Sequence, residues 1–376
     1  MRAASEPVQR RPASRLLRLT ATGEVVHAYR HDLARFVRAD DVIVANDAAT
    51  LPASLAAIHA RSGERIEIRL AARRSLHPRE VLTFDAIVFG AGNFRTRTEA
   101  RPLPPPLRVG DEVSFGSIQG VIEALLDHPR FIRLTFAATA AEVWRMLATH
   151  GRPIQYAHVQ QALALWDVWT PFAANPVAYE APSAGFALDW ALLERLRARG
   201  ARFVTLTHAA GISSTGDDEL DARLPFDEPF SIPERTACAI QCARDRGSRV
   251  IAIGTTVVRA LEAAATKEGV VHAGEGIATQ RIGSTTRLQV VDALLSGAHE
   301  FGTSHYELLR AFTADERLRE MSSVLEADGY LTHEFGDAIF VEADLARAPP
   351  RKRVVDRPSR RPSPRRSAEF ACEACD

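Results

Sequence analysis

The chain has no apolar run of about 18 residues anywhere in its 376, so no helical membrane span is expected. Its basic opening, "MRAASEPVQRRPASRLLRL", lacks the apolar segment of a secretory signal, and a cytoplasmic setting is expected. Cysteine is scarce. Cys238, Cys242, Cys372 and Cys375 are too few and too grouped to staple a protein of this size. Net charge is absent as well: 47 basic residues balance 47 acidic ones, so no overall field draws nucleic acid, and any RNA surface must be a local patch. Lysine is nearly missing, with only Lys267 and Lys352. What remains is ordinary globular material, 46% hydrophobic and 25% charged, long enough for two or three domains.

The pattern changes along the chain. Val42 to Ala45 reads as a buried strand, with Asn46-Asp47 as a polar turn at its end. From 59 to 139, stretches such as "ERIEIRL" and "RFIRLTF" alternate apolar and polar residues between Gly, Pro and charged turns. That period predicts a small antiparallel barrel or sandwich. Beyond "AAEVWRMLATHG", a helix stopped by Gly151, the order becomes strand–helix–strand–helix. "DWALLERLRARG" puts Trp190, Leu193 and Leu196 near helical spacing, and "RFVTLT" follows as a strand. Ser231 with Glu234 forms a possible capping box for the next helix, closed by Gly247, and Thr313 with Glu316 another. Such an order implies parallel pairing. The fold class expected is therefore α/β: a mostly parallel-sheet body in two parts, 1–58 and 140–343, interrupted by a small β-barrel at 59–139. The Arg/Pro/Ser-rich stretch 344–376 is expected to be a disordered tail.

One junction stands out. "VIAIGTTVVRALE" (250–262) runs from an apolar strand through Gly254-Thr255-Thr256 into a helix. Gly followed by hydroxyl residues is a common way to leave a strand and cap a helix. The same geometry also presents free N–H groups to an anion or carboxylate.

Read in order, "SRLL" (14–17), "DDVIVANDAATLPASL" (40–55), "APSAG" (181–185), "VIAIGTTVVRALE", "VVDALLSGAH" (290–299) and "FGDAIFV" (335–341) resemble the S-adenosylmethionine:tRNA ribosyltransferase-isomerase family of queuosine biosynthesis. The family's body with an inserted barrel matches the change of pattern at 59–139. The resemblance implies that S-adenosylmethionine serves as co-substrate, with no metal, and that tRNA is the acceptor. The ribosyl group passes to the amine of a 7-aminomethyl-7-deazaguanine base and isomerises, giving epoxyqueuosine while adenine and methionine leave. That chemistry asks for a base beside the acidified carbon next to the sulfonium, an acid for departing adenine, and partners for the sulfonium and the carboxylate. A monomer is expected.

The resemblance implies catalytic roles for His299 and Asp337. It implies substrate-binding roles for Asn46, Asp47, Ser183, Gly185, Glu228, Gly254, Thr255, Thr256, Arg259, Thr303 and Ser304. On the residues themselves, the imidazole of His299 suits proton transfer near neutrality. Asn46 and Asp47 follow a buried strand, where α/β proteins place ligand groups, although a plain polar turn reads the same way. Arg259 is placed either to meet a carboxylate or phosphate, or to pair with Glu262 on a solvated helix face.

Several family positions are changed. Ala49 and Ser54 replace two arginines, and Ala187 a histidine. Thr207 takes another histidine's place with His208 one residue on, facing the opposite way on a strand. Arg223 and Phe226 stand for two more histidines, and "LPPYI" is reduced to Pro153-Ile154-Gln155-Tyr156. Polar stretches foreign to the family pattern appear instead, "LWDVWTPF", "HAAGISSTGDDE" and "HEFGTSHYE", which read as a remodelled site. Two alternatives accompany the main expectation: the same fold and co-substrate with a non-tRNA acceptor, or a non-catalytic RNA-binding relative. The tail could hold RNA phosphates. Cys372 and Cys375 lie in it, whereas Cys238 and Cys242 fall one helical turn apart, so four convergent zinc ligands are not expected.

Overall fold

The computed structural model describes residues 1–350 apart from Pro12 and Glu300. Fifteen strands build its two main sheets. In the body, β1 (Arg15–Leu19), β2 (Val25–Tyr29) and β3 (Val42–Asn46) precede the barrel. The barrel comprises β4 (Ser54–His59), β5 (Arg65–Ala72), β6 (Thr83–Phe89), β7 (Glu112–Phe115), β8 (Ile118–His128) and β9 (Phe131–Phe136). The body resumes with β10 (Arg202–His208), β11 (Glu228–Ile232), β12 (Val250–Ile253), β13 (Gly274–Ala278), β14 (Ala293–Gly297) and β15 (Ala338–Glu342).

The body sheet has nine strands in the order β13-β11-β10-β3-β12-β14-β15-β1-β2. Its centre, β10-β3-β12-β14, is parallel throughout. The flanks bring in antiparallel pairs, β13/β11, β11/β10, β14/β15 and β1/β2, so the sheet is mixed with a parallel heart. Strands buried on both faces read as continuous apolar runs, and every residue of β3 and β12 is buried. Alternation then assigns the faces. Val42, Val44, Val250 and Ala252 pack with Ile240, Val257, Leu261, Leu318 and Met321. Ile43, Ala45, Ile251 and Ile253 pack on the other side with Leu192, Leu193 and Leu196. Each fully buried Leu or Ile contributes about 1.5–3 kcal/mol.

The helices concerned are α1 (Trp190–Ala198), α2 (Glu234–Asp245), α3 (Thr255–Ala264), α4 (Ser304–Leu309) and α5 (Asp315–Ala327). Leu193 and Leu196 face the sheet from α1, but Trp190 is 75% exposed. The expected boxes at Ser231/Glu234 and Thr313/Glu316 are not used. Pro233 and Ala314 hold the N-cap positions without side-chain caps, and Ser231 belongs to β11. Gly247, at φ +73, does follow the end of α2.

The six barrel strands close in the order β8-β9-β6-β5-β4-β7, every neighbour antiparallel. Their inward residues, among them Leu55, Ile68, Phe84, Val88, Ile132 and Leu134, form a separate core under the helix Ala140–His150. The barrel's first strand starts at Ser54, ahead of the boundary expected at 59. Residues 344–350, read as tail, pack on the body: Asp344 N donates to Phe312 O, and the Arg347 guanidinium to Arg310 O at 2.7 Å. The rest of the expected tail, with Cys372 and Cys375, lies outside the described residues.

Candidate active site

The parallel strands β3, β10, β12 and β14 all end on one edge of the sheet, where open α/β sheets place ligands. A cleft opens there, with about 1070 Å³ of empty space counted out to its mouth. The sheet supplies Gly254, Thr255 and Thr256 after β12, His299 after β14, and Ala210 to Ser213 after β10. Ser183 with its neighbours, Glu228, Arg259, Ser304 and His305 complete the polar wall, and Ile212, Leu224, Ile282 and Leu308 the apolar one.

Gly254 turns the chain from β12 into α3 at φ +96, ψ 153, a conformation that side chains with a Cβ rarely adopt. No side chain caps the first turn of α3. Its N–H groups and partial positive charge therefore face the cleft beside the Thr255 and Thr256 hydroxyls. Asn46 sets that turn from behind. It is 1% exposed, accepts from His208 N at 2.9 Å and Ala48 N at 3.1 Å, and donates to Thr256 Oγ1 at 3.4 Å.

Arg259 is buried on α3 and does not lie on a solvated face. Its guanidinium pairs with Glu228 and donates to Ala278 O at 2.8 Å and Phe226 O at 3.2 Å. Glu262 is engaged elsewhere, accepting the N–H groups of Gln289, Val290 and Val291. The Arg259 charge is thus spent on Glu228, which also accepts Gly211 N at 2.6 Å. Burial raises the Glu228 carboxyl above its ordinary range, with Arg259 opposing.

His299 stacks on His305 with ring centroids 4.2 Å apart and planes 10° from parallel. Burial, then the neighbouring imidazoles His305 and His333, hold His299 well below the usual histidine range. Burial likewise lowers His305 to about 4, against a weaker upward pull from Glu334. Both rings are neutral at pH 7. Glu180 faces the same cleft, hydrogen-bonded to the Tyr156 hydroxyl and to Ser213. Burial, then the nearby Glu334 charge, pushes its carboxyl up to about 7.

Other expected site residues stand behind the cleft or beside it. Asp47 accepts the hydroxyls of Thr205 at 2.9 Å and Thr207 at 2.6 Å, tying β3 to β10. Gly185 lets a short 3-10 turn pack closely: a Cβ there would meet Thr170 Cγ2 at 2.7 Å. Thr303 caps α4 by accepting Tyr306 N. Asp337 is 2% exposed and lines a small neighbouring pocket on the far side of Ser183, Ala184 and Ser296. Its carboxylate is occupied by Arg11, Arg15, the Arg15 N–H and the Leu331 N–H, so it clamps the N-terminal segment.

Thr207 and His208 point to opposite faces of β10, as one step on a strand requires. His208 is fully buried, 3.5 Å from Glu228, and neither ring nitrogen has a hydrogen-bond partner among the described residues. Burial, with Arg259 adding to it, lowers it to about 3. Glu180 and His305 carry no sequence signal of their own, although His305 lies in the foreign stretch "HEFGTSHYE" and Glu180 directly precedes "APSAG"; Tyr156 is the end of the reduced "LPPYI" stretch. Among the described residues, His158, His333 and Glu334 bring ligand-type atoms within 4.8 Å of one another. They sit in an adjoining cleft that shares the Ser213 wall, and Glu334 is already paired with His158 at 3.2 Å.

Comparison with known proteins gives this geometry a lineage. The family model described as "Queuosine biosynthesis protein" matches residues 1–341. The S-adenosylmethionine:tRNA ribosyltransferase-isomerase of Sorangium cellulosum is 32% identical over 90% of this chain and 94% of its own. That of Moorella thermoacetica is 29% identical over 90% and 95%. A crystal structure of S-adenosylmethionine tRNA ribosyltransferase from Thermotoga maritima covers 90% of this chain and 95% of its own, at 22% identity and a TM-score of 0.48. Matched along nearly its whole described length, the chain belongs to the queuosine biosynthesis protein family.

Proposed function

We propose that this chain is a ribosyltransferase-isomerase that takes S-adenosylmethionine into the cleft at the sheet edge and modifies tRNA. The uncapped start of α3 carries the reading, because it offers a carboxylate what the co-substrate's methionine part needs: N–H groups and hydroxyls at a positive helix end. Arg259, bound to Glu228, shapes this floor and does not grip the carboxylate itself. The neutral His299–His305 pair suits a cationic ligand, since imidazolium would repel the sulfonium. His299 then takes the proton from the carbon beside the sulfonium. The amine of a 7-aminomethyl-7-deazaguanine in tRNA accepts the ribosyl group, adenine and methionine depart, and the rearranged product is epoxyqueuosine.

A second reading keeps the co-substrate and changes the acceptor. It is favoured by Ala49, Ser54, Ala187 and Thr207 at family positions for arginine and histidine, and by Glu180 and His305 in the cleft wall. Adenine release separates the two readings. Release from S-adenosylmethionine that depends on tRNA bearing the aminomethyl base supports the first. Release with another acceptor supports the second, and no release with any acceptor refutes both.

A further inference from the structure

Three carboxyl side chains line the cleft, and two are neutralised by protein. Glu228 pairs with Arg259, and Glu307 with Arg310 at 2.7 Å. Glu180 has no ion-pair partner among the described residues. Its hydrogen bonds come from the Tyr156 hydroxyl and from the hydroxyl and N–H of Ser213, all uncharged. These donors fix its orientation without cancelling its charge. The charge acting on it has the same sign: Glu334, itself paired with His158, while the Arg69 guanidinium on the far side of Tyr156, 5.6 Å from its ring centroid, is paired with Glu67. The imidazoles His299 and His305 that line the same cleft are shifted by burial toward the neutral form, and Arg281, the cleft's remaining guanidinium, is exposed and donates to Ala222 O at 3.0 Å.

A buried carboxylate surrounded by neutral donors lacks the opposite charge that would offset its desolvation. A cationic ligand supplies it. We propose that Glu180 is the residue of this cleft that recognises the sulfonium centre of S-adenosylmethionine, an assignment that rests on the co-substrate reading above. Tyr156 and Ser213 are its positioning residues. The Glu180 charge is half-formed near neutral pH, and a cation placed beside it completes the ionisation.

The test compares S-adenosylmethionine with S-adenosylhomocysteine, which keeps the adenosine, ammonium and carboxylate but replaces the sulfonium by an uncharged thioether. Calorimetric titration of the full chain at about pH 8 should show the sulfonium ligand preferred by about tenfold or more. In Glu180→Gln the two ligands should bind within about twofold of each other, with thioether affinity unchanged. The unmutated protein supplies an independent readout that survives even if the variant fails to fold. Its preference should shrink by up to about tenfold at about pH 6, where the carboxyl is protonated. A preference that persists in Glu180→Gln, or that stays flat with pH, overturns the assignment and leaves the co-substrate reading standing. No binding of either ligand to the unmutated chain overturns that reading, and this one with it.

Discussion

Replacing Glu180 by glutamine removes a charge and keeps the shape, so it isolates what the ionised carboxyl costs the fold. The ordinary glutamate value is 4.5, and in the folded chain burial and Glu334 move it to about 7. Because the folded value is raised, the folded state holds the proton more tightly than the unfolded one. The resulting stability is fully present below about pH 4.5 and is lost as pH rises through about 7. Each pH unit is about 1.4 kcal/mol, so the whole displacement amounts to about 3 kcal/mol. Urea unfolding of ligand-free protein, followed at steps from about pH 5 to about pH 8.5, reads this directly. Glu180→Gln should gain stability over the unmutated chain by about 2–3 kcal/mol across that range, then hold level. Parallel curves for the two proteins would show that Glu180 titrates like a solvated carboxyl, and the reasoning about its burial would fail.

Gly254→Ala should lower stability by about 1–2 kcal/mol in urea unfolding and weaken S-adenosylmethionine binding in calorimetry. The new Cβ itself has room, with Ala184 Cβ at 3.5 Å, so the loss comes from φ +96. Asp337→Asn removes the charge that Arg11 and Arg15 share while leaving them their carbonyl partners, and should cost about 1–3 kcal/mol in the same unfolding assay. Its S-adenosylmethionine affinity, measured by calorimetry, should stay within about twofold, because its carboxylate lies outside the cleft. Truncation after Ala343 should lower the melting temperature in a calorimetric scan below that of a chain ending at Pro350, since Asp344 and Arg347 bond to the body.

The parallel heart was legible because "VIVAN" and "VIAI" are apolar runs bounded by turn residues, and the barrel because its strands alternate with period two. Caps were less so: a serine three residues before a glutamate reads as a box, yet β11 pairing with β10 claimed Ser231. At the site, motif reading found the α3 junction and His299, whose positions follow from chain-local geometry. It missed Glu180, because a single glutamate carries no sign of having been buried beside Tyr156 by distant segments. It also could not show that Asp337 meets arginines more than 320 residues away in sequence. Charge pairing across the fold is a long-range property.

The barrel's place in the chain bears on how the molecule assembles. β3 and β10 lie side by side at the sheet's centre, yet about 155 residues separate Asn46 from Arg202. Closing so long a loop is entropically slow, whereas four of the six barrel pairings join strands consecutive in sequence and the other two, β6/β9 and β4/β7, span far shorter loops. A barrel that forms early draws the ends of that loop together, so it serves as a clasp for the sheet whose edge becomes the cleft.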